Sequence, residues 1–215
     1  MSGLAHTCAV LSRLAYSDDL TLGLIGQTWI ARFDRGGTQA FISTDTGGRL
    51  YLAFRGTEEP ADIKADLKYA KVDFPGGGRV HAGFLEAFGR IHGDVQEVLD
   101  EHRDRTWIFT GHSLGAALAL LAAARWKPSA AYLYGCPRVG NLAFVATVSC
   151  SVYRFENRGD IVTKLPPPTS PMQIWRSLRQ GRRPSLYRHA GKRVRLSGFG
   201  LGHRVAYYEA ATAEM

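Results

Sequence analysis

The stretch from Thr106 to Phe155 constrains the fold of this chain more than any other. Three strand-like runs, Thr106–Thr110, Ala130–Tyr134 and Ser151–Phe155, alternate with two helical segments, Leu114–Trp126 and Asn141–Val148. A strand that returns to its sheet through a helix pairs in parallel, and strands apolar on both sides are buried on both faces. The expected fold is therefore α/β, with helices covering a parallel sheet. Three further runs lie upstream, Thr28–Phe33, Gln39–Thr44 and Leu50–Phe54. They are joined by Asp34-Arg35-Gly36-Gly37 and Asp45-Thr46-Gly47-Gly48, whose glycines suit hairpin turns. These add antiparallel strands, so the central sheet should be mixed and mostly parallel.

Leu4–Tyr16, Phe84–His102 and His203–Ala213 carry apolar residues at helical spacing. Pro166–Pro184 reads as a long irregular loop, and Leu186–His189 with Arg193–Leu196 as a short hairpin. At 215 residues and 45% hydrophobic, with no repeat, the chain fits one domain spanning 1–215.

Gly111-His112-Ser113-Leu114-Gly115 is a G-x-S-x-G pentapeptide. Alone it is a weak signal, but here Trp107–Phe109 leads in and the Leu114–Trp126 helix leads out. A sharp strand-to-helix turn exposes the serine hydroxyl, and flanking glycines tolerate the crowding. The helix N-terminus aims free N–H groups at a developing oxyanion.

Serine needs a base to take its proton, and the base needs a carboxylate to orient it. After Ser113 the acids are Glu156, Asp160, Glu209 and Glu214. Asp160 lies just beyond the carboxyl end of the Ser151–Phe155 strand, where it reaches such a site. Glu156 sits beside the strand and suits pairing with a surface base, and the other two belong to the closing helix and the terminus. The histidines beyond Asp160 are His189, in the basic hairpin, and His203, which opens the last helix. Spacing favours His203 and leaves His189 open.

The net charge of +8 is unevenly placed. Through Asp160, 17 Lys and Arg balance 17 Asp and Glu, whereas from Ile161 onward 10 cations face only Glu209 and Glu214. Most of the excess lies in Arg176–Arg195, which can meet an anionic membrane surface or serve as solvated surface. Nucleic acid has only charge in its favour, because aromatic platforms there are limited to Trp175 and Tyr187. Cys8, Cys136 and Cys150 form no metal spacing; they read as reduced core residues, with a single bridge between two of them the alternative. No apolar run approaches a membrane span and no Sec signal is visible in this chain, so the expected location is cytoplasmic, or secreted with a signal not visible here. No residue pattern specifies an oligomeric state.

Seven ordered segments between Leu50 and Tyr207 resemble the class 3 lipases, the family of the fungal triacylglycerol lipases. They are Ala53-Phe54-Arg55-Gly56-Thr57, Val80-His81-Ala82-Gly83-Phe84, Thr110–Ala116, Tyr134–Asn141, Asn157–Pro167, Tyr187–Gly191 and His203–Tyr207. The resemblance implies an α/β-hydrolase fold, no metal or organic cofactor, and hydrolysis of acylglycerols or related fatty-acyl esters. It implies Ser113 as nucleophile, Asp160 as acid and His203 as base, with His189 structural. It also implies an oxyanion hole formed by the N–H groups of Thr57 and Leu114, the Thr57 hydroxyl assisting. His81 and Arg138 match without an assigned role, and buried hydrogen bonding is the expectation for both. The chain departs from the family in Glu58–Tyr69, where a lid is expected. That segment offers mainly Ile63, Leu67 and Tyr69 against six charges, which disfavours a long-chain triglyceride specialist. Phospholipase or acyltransferase action on anionic membranes is the alternative among enzymes, and an idle lipid- or anion-binding module the alternative outside them. Pro75-Gly76-Gly77-Gly78 lacks the histidine of an esterase oxyanion motif and reads as a flexible linker.

Overall fold

A computed structural model describes residues 2–17, 25–57, 70–169, 174–175, 178–181, 184–196 and 202–215. The expected lid, Glu58–Tyr69, lies outside them, as do Arg176, Arg182 and Arg183 of the basic region.

Helix α1 (Ser2–Leu14) is followed by strands β1 (Gln27–Arg35), β2 (Thr38–Asp45) and β3 (Leu50–Phe54), which form an antiparallel meander. Then come β4 (Lys71–Asp73), β5 (Arg79–His81), helix α2 (Ala82–Glu101), β6 (Trp107–His112) and helix α3 (Leu114–Trp126). The chain continues through β7 (Ala130–Tyr134), the short α4 (Leu142–Val145), β8 (Ser151–Glu156), a 3-10 turn (Val162–Lys164), β9 (Lys192–Arg195) and α5 (Val205–Ala213). Seven strands form one sheet in the order β1-β2-β3-β6-β7-β8-β9, parallel from β3 onward. The mixed, mostly parallel sheet expected from the strand–helix alternation is present.

Two apolar layers cover the sheet. On one face α2 and α3 pack through Phe84, Phe88, Ile91, Val95, Leu118 and Leu121. Ten successive residues of α3, Gly115–Ala124, are buried, as expected for a helix apolar all round. On the other face α1 and α5 meet through Cys8, Leu11, Tyr208 and Ala211 over Tyr51, Ile108 and Tyr134. All three cysteines are free, and Cys8 and Cys136 are buried.

Three details differ from expectation. The hairpin placed at Leu186–Leu196 is absent: β9 pairs in parallel with β8, and Arg188 bridges Gly140 instead. The α4 helix is one turn long, capped by the Asn141 side chain, which accepts the Phe144 N–H. Pro75–Gly78 is a tight turn joining β4 to β5, rather than a loose linker. There Phe74 N–H donates to the Gly78 carbonyl, and a Cβ on Gly78 would stand 2.1 Å from Phe144 N.

Candidate active site

The Ser113 backbone shows why this pentapeptide is glycine-flanked. Its φ of 59° and ψ of −125° lie where a residue with a side chain is strained, by about 1–3 kcal/mol. The turn fits because nothing protrudes beside it. A Cβ on Gly115 would stand 2.2 Å from the Phe54 carbonyl oxygen, and one on Gly111 2.4 Å from Gly115. Phe54 and Gly111 are register partners on β3 and β6, so the two strands clamp the elbow at their carboxyl ends. Ser113 N–H donates to the Tyr134 carbonyl on β7.

Asp160 is buried at the turn after β8. Its Oδ1 accepts the Val162 N–H at 2.8 Å, and its Oδ2 accepts the Tyr208 hydroxyl. The same Oδ2 lies 2.7 Å from His203 Nδ1. Burial, then the Asp160 charge, pushes the Tyr208 phenol far above its ordinary range, so it acts only as the donor of that bond. Gly135, at φ 58°, forms the floor under this pair: a Cβ there would stand 2.8 Å from His203 Cε1 and 2.9 Å from Asp160 Oδ2. The His112 ring also lies against His203, centroids 4.5 Å apart.

Ser113 Oγ and His203 Nε2 are both buried, and neither has a hydrogen-bond partner among the described residues. The site thus holds its acid–histidine contact made and its serine–histidine contact unmade.

Thr57 and Leu114 line one cavity of about 400 Å³, together with Gly37, Thr38, Gln39, Arg55, Gly56 and Leu118. Leu114 opens α3, so its N–H has no intrahelical acceptor. The Arg55-Gly56-Thr57 segment touches the elbow, since a Cβ on Gly56 would lie 2.4 Å from the His112 carbonyl oxygen and 3.2 Å from Ser113 Cβ. The structure therefore gathers all five expected residues at the carboxyl end of the sheet.

The alternatives fall elsewhere. His189 Nε2 lies 2.8 Å from the Thr163 carbonyl, and burial, then Arg154 and Arg138, push its pKa down to about 3. Glu209 pairs with Arg13. Glu156 pairs with Arg154, which is buried rather than on the surface, and lies 3.9 Å from Arg193. Arg138 donates to the Lys164 and Pro166 carbonyls as expected, but it is half-buried rather than buried. His81 departs from expectation: it is buried against Phe84, but neither ring nitrogen has a partner among the described residues. Burial, then Lys71, lowers its pKa to about 4, which keeps the imidazole neutral.

Sequence reasoning passed over Tyr16, His112, Gly135 and Tyr208. Tyr16 and Tyr208 follow or belong to helices whose periodicity explains them as packing, and their hydroxyl contacts are long-range. Gly135 sits in a matched segment, but only its neighbours in space reveal what it makes room for.

The chain is similar to several known proteins. The family model described as Lipase (class 3) matches residues 51–170. A lipase of Rhizomucor miehei is 36% identical over 149 residues, which span 60% of this chain and 41% of that protein. A secreted mono- and diacylglycerol lipase A of Penicillium camembertii is 35% identical over 60% of this chain and 47% of its own length. The match thus spans less than half the length of these curated relatives. The crystal structure of a lipase from Rhizopus microsporus var. chinensis superposes with a TM-score of 0.73 at 27% identity, covering 93% of this chain and 75% of that one.

Proposed function

The chain belongs to the class 3 lipase family, and we propose that it hydrolyses acylglycerols or related fatty-acyl esters through an acyl-enzyme on Ser113. The observation that carries this reading is the buried His203–Asp160 contact beside a serine, on a strained strand-to-helix turn, whose hydroxyl has no partner among the described residues. Ser113 Oγ attacks the ester carbonyl carbon while His203 Nε2 takes its proton. Asp160 holds the His203 Nδ1–H and stabilises the imidazolium as it forms. The carbonyl oxygen gains negative charge and is met by the N–H groups of Thr57 and Leu114, each such donor contributing about 3–4 kcal/mol in the transition state. The tetrahedral adduct collapses, and His203 returns the proton to the departing alcohol. Water then repeats the cycle on the acyl-enzyme and releases the carboxylic acid. The His–Asp pair, the serine and the donors are all protein groups, so the cycle needs no further reactant than water.

The partner that fits this chemistry is a lipid surface, and anionic lipid suits its charge. Arg179, Arg188, Lys192, Arg193 and Arg195 are exposed, as are the large apolar side chains of Trp175 and Leu178. That same observation favours a second reading, in which the ester belongs to a phospholipid. We take secretion as the compartment reading, after the relatives named as secreted enzymes. The test is an ester series from acetyl to long acyl chains with a phospholipid included, run beside Ser113→Ala. Turnover of acylglycerol or simple fatty-acyl esters that disappears in Ser113→Ala supports the proposal. Turnover of phospholipid alone supports the second reading, and turnover that survives in Ser113→Ala refutes both.

A further inference from the structure

His112 immediately precedes the nucleophile and takes no part in the proton transfers above, yet it is packed directly against His203. The ring is buried, its centroid lies 4.5 Å from that of His203, and the two planes are 33° apart. Its Nδ1 is 2.9 Å from the Tyr16 hydroxyl, while Nε2 has no hydrogen-bond partner among the described residues. Tyr16 follows the end of α1 and reaches the site from the amino-terminal side of the chain. Its hydroxyl is wedged against the Arg55-Gly56-Thr57 segment, since a Cβ on Gly56 would stand 2.2 Å from it.

The groups facing His112 are Tyr16, Tyr208 and His203, with the Arg55 guanidinium behind the Tyr16 ring at 5.8 Å. Burial, then repulsion from His203, holds His112 well below the ordinary histidine range, so its ring stays neutral. A neutral ring face tolerates an imidazolium beside it, whereas a second imidazolium would repel it.

One hydrogen bond from Nδ1 to Asp160 fixes one atom of the His203 ring and leaves the tilt of the ring open. A ring packed against it at this distance removes that freedom. We infer that His112, pinned by Tyr16, is a positioning residue: its ring is the wall that holds the His203 imidazole at the tilt that keeps Nδ1 on Asp160 and Nε2 turned to Ser113. The inference rests on the reading of His203 as the general base.

The test is kcat and KM, determined separately on a soluble short-chain ester, for His112→Ala, His112→Phe, Tyr16→Phe and the Tyr16→Phe/His112→Phe double variant, with thermal unfolding alongside. Misplacing a reacting group by about 1 Å can cost roughly 100-fold. His112→Ala should therefore lose roughly 10- to 100-fold in kcat, with KM within about two-fold. His112→Phe restores a wall without the nitrogens and should recover roughly ten-fold over alanine. Tyr16→Phe should lower kcat in the native background and add nothing in the His112→Phe background, because it acts through His112. The inference is overturned by a His112→Ala kcat within about two-fold of the native value, by a loss carried wholly in KM, or by a Tyr16→Phe effect undiminished beside His112→Phe. Should the alanine variant not fold, the phenylalanine variant and the double-variant comparison decide. Activity retained in His203→Ala would remove the reading underneath. An inactive His203→Ala with His112 variants at native kcat would remove this inference alone.

Discussion

Replacing Gly135 with alanine adds one methyl group directly beneath the His203–Asp160 pair. The added Cβ would stand 2.8 Å from His203 Cε1, 2.9 Å from Asp160 Oδ2 and 3.0 Å from His203 Nδ1. Carbon atoms in comfortable contact sit about 3.5–4.0 Å apart, so the pair must retreat by several tenths of an ångström or more. The neighbours allow little retreat, because the His203 ring is packed against His112 and Asp160 is held by Tyr208 and Val162. Gly135 is also at φ 58°, where an alanine costs about 1–2 kcal/mol. The folded state should lose that much, lowering Tm by roughly 2–8 °C for a domain of this size. The larger effect falls on the reaction, since a shift of about 1 Å in the base can cost roughly 100-fold in rate. Gly135→Ala should thus remain folded at 25 °C, with kcat on a short-chain soluble ester down by roughly two orders of magnitude and KM nearly unchanged. A folded Gly135→Ala variant with native kcat would refute the role given to this contact and the placement of His203 above it.

Three further outcomes follow from the same geometry. His203→Ala should lower kcat by roughly three orders of magnitude or more, whereas His189→Ala should change stability and leave turnover largely intact; the reverse pattern in folded variants would move the base to His189. His81 and His189, with pKa values near 4 and 3, take up protons in the unfolded chain below about pH 6.5 and in the folded chain only at much lower pH. Stability should therefore be fully present above pH 6.5 and fall as the pH drops toward 4, by up to about 1.4 kcal/mol per pH unit for His189. His189→Gln should flatten that slope in thermal unfolding followed across pH, and an identical slope in the variant would contradict it. Finally, association with anionic vesicles should fade as salt rises to 1 M, where the Debye length is about 3 Å, while hydrolysis of a soluble ester barely changes. By sequence, the charged Glu58–Tyr69 segment offers neutral lipid little beyond Ile63, Leu67 and Tyr69. A sharp rate increase at the solubility limit of a neutral triglyceride would count against that expectation, and equal binding to neutral vesicles against the role of the exposed cations.

The sheet was legible because its strands and helices carry local signals: β3, α3 and β7 begin and end where their apolar runs do. The misread parts lack such signals. β9 is an edge strand of four residues, Lys192–Arg195, three of them exposed cations. Its place beside β8 is set by long-range pairing that its own pattern does not reveal, and edge strands commonly carry such charges. The β4–β5 turn looked slack because three glycines read as flexibility, whereas Phe144 presses on Gly78 and demands the missing side chain. In the candidate site, Ser113 and Asp160 followed from chemistry, order and elimination, and His203 only once the family resemblance was added to them. Their supports did not, because Tyr16 and His112 are 96 residues apart in the chain and meet only once the sheet has formed.

The most direct measurement of the central claim is covalent labelling of the native chain with a fluorophosphonate, followed by peptide mass analysis, in parallel with ester turnover. Only an activated serine reacts rapidly with such a reagent. The account predicts one modified residue, Ser113, with activity lost in proportion to labelling and neither labelling nor turnover in a folded Ser113→Ala variant. Rapid stoichiometric modification of any other serine, or full activity once Ser113 is modified, would contradict it.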